Sequence, residues 1–309
     1  MTDKLTTIAE AVRTLVRDGD SVVLGAALES DIPFAAAHEL IRQSKRDLTI
    51  IAPISDMGTD LLIGAGCVGG IRGAWVGNMM GGTGYNYRRA CEQGVPHRLA
   101  VHDYTNLSLG MALFAGASGL PYVPMRSLLG SDIARTNAEF KRADNPFAPT
   151  PEAEPLVLVP ALIPDVAILS VQRADASGGC HHWGSRGVAQ EAALAAQRVI
   201  ILADEIVDKA VIASDPSRVL VPGYKVAAVC HAPAGQHPSP MTGTWRRDND
   251  FFGDYLKRSK DRADYEGWLK EWVLGVPDHA AYRAKLGTRL DGLRITGQAL
   301  AAPTNYAGE

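Results

Sequence analysis

The sequence predicts an α/β fold: an open, mostly parallel sheet with helices on both faces, followed by a C-terminal helical extension. Three observations carry this. Short apolar runs recur along the chain without polar alternation, as strands buried on both faces require. Amphipathic or alanine-rich stretches of helical length separate them. The resulting strand–helix rhythm is that of βα units, whose crossovers deliver parallel strands.

Taken in order, residues 5–17 set Leu5, Ile8, Ala9, Val12, Leu15 and Val16 on one helical face. Asp18-Gly19-Asp20 ends that helix, since glycine accepts the left-handed conformation common just past a helix. Val22-Val23-Leu24 is a short buried strand. Pro33 opens the helix PFAAAHELIRQ from a first-turn position that suits it. Strand Leu48–Ala52 follows. Further strands are expected at Gly73–Val76, Arg98–Val101, Leu156–Val159, Val166–Val171, Val199–Leu202 and Val226–Cys230, with helices near 84–93, 106–118 and 186–196. The stretch 143–155, with Pro146, Pro149, Pro151 and Pro155, reads as an extended surface crossing. From about residue 250 the chain becomes charged, aromatic and helical, with Trp268 and Trp272 one turn apart. This divides it into an α/β domain over 1–248 and a helical extension over 249–309, packed on the domain or on a partner subunit.

Composition narrows the function. The 309 residues are 46% hydrophobic and 21% charged, with a formal net charge of -3, the balance of a globular protein with ample core. No basic stripe suggests a nucleic-acid partner. The longest apolar runs, Leu156–Pro160 and Val199–Ala203, fall far short of a membrane span, and MTDKLTTIAEAVRTLV lacks a signal-peptide core. Cys67, Cys91, Cys180 and Cys230 are scattered with no C-x-x-C pair, which points to a reduced, cytoplasmic setting.

Gly64-Ala65-Gly66-Cys67-Val68-Gly69 matches G-x-G-x-x-G, but it follows a helix-like TDLLIG and precedes a strand, the reverse of a dinucleotide fingerprint. His181-His182, beside Cys180, suggests a metal only superficially: adjacent side chains of an extended chain point apart, and no spaced ligand set completes four donors. No metal is therefore expected. No G-x-S-x-G elbow is present. Two glycine-bearing loops follow strands: Gly25-Ala26-Ala27, and Gly77 to Gly84 with Tyr85, Tyr87, Arg88 and Arg89 behind it. Glycine there lets backbone amides approach a ligand, and ligands of open α/β sheets sit at strand C-terminal ends.

The run Asp18 to Pro33, DGDSVVLGAALESDIP, has the spacing of a known signature: Asp-Gly, an apolar triplet, a glycine-led turn and a proline. With AAAHELIRQSKRDLTIIAP, YRRACEQG, GLPYVPMRSLLGSD, RADNPF, VPALIPDVAILSVQRADASGG, HWGSRGVAQEAALAAQRVIILADEIVD, APAGQHPSP and KEWVLGVPDHAAYRAKLG, it makes the chain resemble the family I CoA-transferases, in particular α subunits of the glutaconate type. The resemblance runs in order through nearly the whole chain.

It implies a CoA-transferase fold and the α subunit of a heteromeric enzyme. Such an enzyme moves CoA between an acyl-CoA and a carboxylic acid through a glutamyl-CoA intermediate on a β-type subunit, in a hetero-oligomer of which α2β2 is the doubled form. Coenzyme A is then a substrate, and no cofactor is bound permanently. The family's nucleophile sits in a Ser-Glu-Asn-Gly context that this chain lacks; Asp204-Glu205-Ile206-Val207 matches an α-subunit segment, so loss of Glu205 is expected to affect folding or assembly. Substrate or CoA binding is expected at Gly25, Ala26, Ala27, Glu29, Asp31, Asn78, Gly81, Gly82 and Arg88. Two departures stand out: the family's Gly-Gly-Phe is Gly25-Ala26-Ala27 here, and Asp31 replaces a basic residue of the glutaconate type. With Glu29 nearby, an acidic loop argues against a dicarboxylate such as glutaconate. Relatives also include CoA-thioester hydrolases that open a ring, and decarboxylases; in the hydrolase reading Asp103 is the candidate acid/base group, or else it caps the helix near Asn106. A non-catalytic acyl-CoA-binding protein is the third alternative.

Overall fold

In a computed structural model, residues 3–78, 81–82, 84–150 and 154–296 are described. Among the described residues the central sheet has nine strands: β1 (Leu5–Thr6), β2 (Ser21–Val23), β3 (Leu48–Ser55), β4 (Val68–Val76), β5 (Ala100–Asp103), β9 (Val166–Ala174), β10 (Cys180–His181), β11 (Arg198–Ile206) and β12 (Val226–His231). They run β1-β12-β11-β9-β2-β3-β4-β5, all parallel along this path, while the short β10 pairs antiparallel with β9. Val22 lies opposite both Ile50 and Val166, which fixes β2 between β3 and β9.

Side chains alternate between two cores, as strand geometry requires. Val22, Ile50, Val166, Ile168, Ile200 and Leu202 face one side. That side is covered by α1 (Ile8–Leu15), α2 (Phe34–Arg42), α3 (Met57–Gly64) and α4 (Tyr85–Gln93). Val23, Ile51, Ala167, Leu169, Ile201 and Val229 face the other, against α5 (Asn106–Ala117) and α7 (Ala189–Ala195). Every residue of β9 is buried. Each large aliphatic side chain there contributes roughly 1.5–3 kcal/mol by leaving water.

Several boundaries differ from the sequence expectation. Gly73–Val76 is only the end of β4, whose first half is hidden by Gly69 and Gly70; a side chain at either would press on Asp47 or Thr49. Strand β5 begins at Ala100 rather than Arg98. The expected helix 186–196 starts at Ala189, because Gly187 takes φ 51° and forms a turn. The run Leu156–Val159 is a strand, β8 (Leu156–Pro160), but it lies outside the parallel sheet. It is the centre of a separate antiparallel sheet with β6 (Tyr122–Met125) and β7 (Lys141–Ala143). Between these come α6 (Ile133–Thr136) and, after β11, α8 (Lys209–Ala213).

The C-terminal helices α9 (Asn249–Ser259), α10 (Arg262–Leu269), α11 (His279–Leu286) and α12 (Thr288–Leu293) join the first core. Trp268 is fully buried, edge-on to Phe251 and Tyr255, and Phe252 meets Phe34 of α2. Trp272 packs on Phe251 and Tyr282 with the Lys285 ammonium over its ring. No helix among the described residues is long and apolar enough to cross a membrane.

Candidate active site

Strand order locates the site. From β2 the chain builds outward through β3, β4 and β5; from β9 it builds the other way through β11 and β12. The switch point lies between β2 and β9. In open α/β sheets the ligand crevice opens there, outside the carboxyl ends of the strands. The loop leaving β2, residues 24–33, stands at that point.

This loop is shaped by backbone. Gly25 has φ 74°, and a side chain on it would bring a carbon to 3.3 Å from the Ile54 carbonyl. Only glycine meets both demands. Ala26 and Ala27 are buried, and Glu29 is exposed at the tip. The Val188 amide donates to the Ala26 carbonyl at 2.8 Å, and the Ser239 hydroxyl to the Glu29 carbonyl at 2.6 Å. Gly187 permits this approach, since a carbon there would lie 2.3 Å from the Ala26 oxygen.

Asp31 has φ 57° and is turned inward, its Oδ2 3.3 Å from His182 Nε2 with both side chains buried. An acidic loop face that repels a dicarboxylate is thus not what Asp31 provides; its carboxylate faces His182 instead. His181, next in the chain, takes other partners: Arg173 Nε donates to its Nδ1 at 3.2 Å, and its Nε2–H to the Ile212 carbonyl at 2.9 Å.

The neighbouring strand ends add two buried carboxylates. Asp56, after β3, pairs with Arg247 at 2.5 Å, and the Arg247 guanidinium lies over Phe252. Asp60 of α3 receives hydrogen bonds from the Tyr255 hydroxyl at 2.6 Å, the Tyr87 amide at 2.8 Å and the Asn86 side-chain amide at 3.2 Å. Burial pushes the Asp60 carboxyl above the usual range, and these bonds only partly offset it. Asp60 thereby anchors the start of α4 and closes the glycine loop after β4. In that loop the Gly82 and Gly81 amides donate to the Asn78 carbonyl at 2.6 and 3.0 Å. Asn78 is buried while Gly81 and Gly82 are exposed. Met79, Met80 and Thr83 lie outside the described residues.

Two expected residues stand apart from this rim. Arg88 pairs with Glu92 on the solvent face of α4 at 2.8 Å, an i,i+4 contact. Asp103 ends the edge strand β5 and is exposed; its carbonyl accepts from Asn137. It does not cap α5, because Thr105 does, with Ser108 closing a reciprocal capping box. Beside it, Glu139 is held by Arg72 at 2.7 Å and by the Tyr104 hydroxyl at 2.6 Å. Sequence reasoning had no means to find Asp56–Arg247, Asp60–Tyr255 or Asp31–His182, whose members are 191, 195 and 151 residues apart.

Fold and strand order define an α/β protein with a mostly parallel sheet and glycine turns at the carboxyl ends of β2 and β4. Comparison with known proteins agrees: residues 5–232 match the coenzyme A transferase family. One chain of the 3-oxoadipate CoA-transferase from Pseudomonas knackmussii is 38% identical over 283 residues, 92% of this chain and 98% of that one. One chain of the glutaconate CoA-transferase from Acidaminococcus fermentans is 33% identical, covering 94% of this chain and 95% of the relative. The crystal structure of the Acidaminococcus glutaconate enzyme superposes with a TM-score of 0.89 at 32% identity, covering 99% of this chain and 100% of that one. The chain belongs to the coenzyme A transferase family.

Proposed function

We propose that this chain is the α-type subunit of a heteromeric CoA-transferase, working with a separate β-type chain that carries the attacking glutamate. The reaction exchanges a thioester for a carboxylate. The partner's carboxylate attacks the acyl-CoA carbonyl, forms a mixed anhydride and releases CoA thiolate. The thiolate then attacks the enzyme's side of the anhydride, giving glutamyl-CoA and free acid. An acceptor acid reverses both steps. Splitting the exchange in this way avoids loss of the thioester's energy to water.

The observation that carries this reading is the commitment of the buried rim carboxylates. Asp31 faces His182, Asp56 faces Arg247, and Asp60 accepts three hydrogen bonds. None of these three is poised as a nucleophile. What the rim offers is backbone: the Gly25–Glu29 turn is suited to line an acyl group and to donate to a developing oxyanion, while the Gly81 and Gly82 amides are taken by the Asn78 carbonyl. The names of the two relatives put short dicarboxylic acids first among the acceptors to test. The pair is expected in the reducing cytoplasm, with α2β2 as the assembly to look for by light scattering.

The test combines the chain and its β-type companion with acyl-CoA and then borohydride, which reduces a glutamyl-CoA thioester. The expected result is inactivation that needs acyl-CoA, with the modified glutamate in the companion. Glu29→Gln, which changes the exposed carboxylate of the rim, is expected to retain trapping. Turnover by this chain alone, or borohydride modification of a carboxylate in this chain, would overturn the proposal.

A further inference from the structure

The crevice loop that leaves β2 is wound more tightly than its residue types favour. Between positions 25 and 31 three residues take positive φ: Gly25 at 74°, Leu28 at 65° and Asp31 at 57°. Glycine adopts this region freely, but leucine and aspartate carry a Cβ that crowds there. Such backbone persists only where surrounding contacts over-determine it, and it gathers at functional sites. Two of those contacts come from the segment after β12. The Asp31 amide donates to the Pro240 carbonyl at 3.0 Å, and the Ser239 hydroxyl to the Glu29 carbonyl at 2.6 Å. The third is the side-chain contact of Asp31 Oδ2 with His182 Nε2, at 3.3 Å.

This third contact is a poor stabiliser. The Asp31 and His182 side chains are only 2% and 1% exposed. Their bond is long, and Asp31 Oδ1 and His182 Nδ1 have no hydrogen-bond partner among the described residues. A carboxylate taken out of water needs several good hydrogen bonds to recover what it loses. Backbone strain and desolvation thus fall on one residue of the crevice loop. What the pair does provide is position. Asp31 lies in the loop after β2, and His182 directly follows β10, which pairs with β9. Their contact therefore ties the two sides of the switch point together beside the Gly25–Glu29 turn. The Gly25, Ala26 and Ala27 amides of that turn have no acceptor among the described residues, so the shape of the turn decides where these donors point.

We propose that Asp31 and His182 are a positioning pair that holds the Gly25–Glu29 turn in its wound shape for the transfer step and adds little to stability. This rests on the transfer reading above, in which the turn donates to the developing oxyanion. Three variants separate position from stability. Asp31→Gly accepts the positive φ and removes the carboxylate, so it relaxes the backbone while releasing the turn. Asp31→Asn tolerates the same φ and keeps an acceptor for His182. Asp31→Gly combined with His182→Phe leaves neither member of the pair buried without its partner.

The variants are assayed in the full chain joined to its companion. The Tm of the double variant is expected to stay within about 5 °C of wild type. In Asp31→Gly kcat is expected to fall about tenfold or more with KM within about threefold, because a donor to the oxyanion acts in the transition state. The double variant is expected to lose no more than the single one, since both break the same contact. Asp31→Asn is expected to lie closer to wild type than to Asp31→Gly. Hydrogen exchange, read by mass spectrometry, follows the loop independently of the chemistry. The Val188 amide, which donates to the Ala26 carbonyl, is expected to exchange about tenfold faster or more in Asp31→Gly, while β11 is unchanged. Unchanged exchange at Val188 overturns the proposal. So do a kcat within about twofold of wild type in Asp31→Gly, equal losses in Asp31→Gly and Asp31→Asn, or a larger fall in Tm in the double variant. Absence of borohydride trapping in the wild-type complex instead removes the transfer reading, and the exchange rates alone then decide for or against the pair.

Discussion

Replacing Gly187 with alanine probes how the crevice loop is held. Gly187 has φ 51°, a region that costs a side-chain-bearing residue about 1–2 kcal/mol. The new carbon would also lie 2.3 Å from the Ala26 oxygen and 3.0 Å from the Ala27 Cα, about 1 Å inside ordinary contact for the first. Relief requires the Ala26–Ala27 backbone to retreat, and that lengthens the 2.8 Å hydrogen bond from the Val188 amide. Loss of a buried bond of this kind costs about 1–3 kcal/mol. The sum is about 2–5 kcal/mol, or a fall in Tm of about 4–10 °C at roughly 2 °C per kcal/mol for a chain of this size. Gly119→Ala is the control: its φ is 69°, but nothing lies within 4 Å of the added carbon, so only the backbone cost of about 1–2 kcal/mol applies. Scanning calorimetry reads both variants, and CoA transfer with the companion chain reads the crevice. Gly187→Ala is expected to lose at least tenfold in kcat while Gly119→Ala stays near wild type. Equal Tm losses in the two, with activity intact in both, would refute the close-approach reasoning.

Other outcomes follow from single residues. Asp60→Ala strands the Tyr255 hydroxyl, the Asn86 amide and the Tyr87 N–H, so a loss of about 3–5 kcal/mol is expected from urea unfolding; Asp60→Asn keeps an acceptor and is expected to cost about 1–2 kcal/mol. Burial lowers the His279 imidazole from 6.5 to about 4, and its Nε2–H donates to the Pro233 carbonyl. The unfolded chain therefore takes up the proton first on acidification. The stability involved is fully present above pH 6.5 and is lost as pH falls toward 4, by up to about 1.4 kcal/mol per pH unit. His279→Gln, which keeps the donor, is expected to flatten the urea midpoint against pH over that window; an unchanged slope would exclude His279 as the source. Asp103→Asn alters an exposed carboxylate at the sheet edge and is expected to leave the transfer rate within about twofold; complete loss in a folded variant would show that transfer needs Asp103.

The parts of the fold that are legible in the sequence share one property. β9, β11 and β12 are apolar because both their faces are buried, and that leaves a plain run in the sequence. β8 leaves the same trace, yet it pairs antiparallel in the small sheet; an apolar run records burial and not pairing direction. Leu5–Thr6 merges with the periodicity of α1, because two residues carry no period of their own. At the site, the glycine turns at Gly25 and Gly82 are visible from residue type alone, since both have positive φ. Asp31 belongs to the expected loop but faces inward rather than outward, because its partner His182 is brought beside it only by the adjacency of β2 and β9. Arg88 looks like an anion ligand from its position after the glycine loop, and the helix instead turns it toward Glu92.

The strict division of the sheet's side chains between two cores restricts how such a chain can diverge. Deleting one residue from the middle of β9 would send Ile168, Leu169 and their successors to the wrong layer, and every helix above and below would meet a mismatched surface. Length changes are therefore costly within the strands and are borne better by the turns between elements. On this scaffold a change of length in a turn leaves the layers beneath in register.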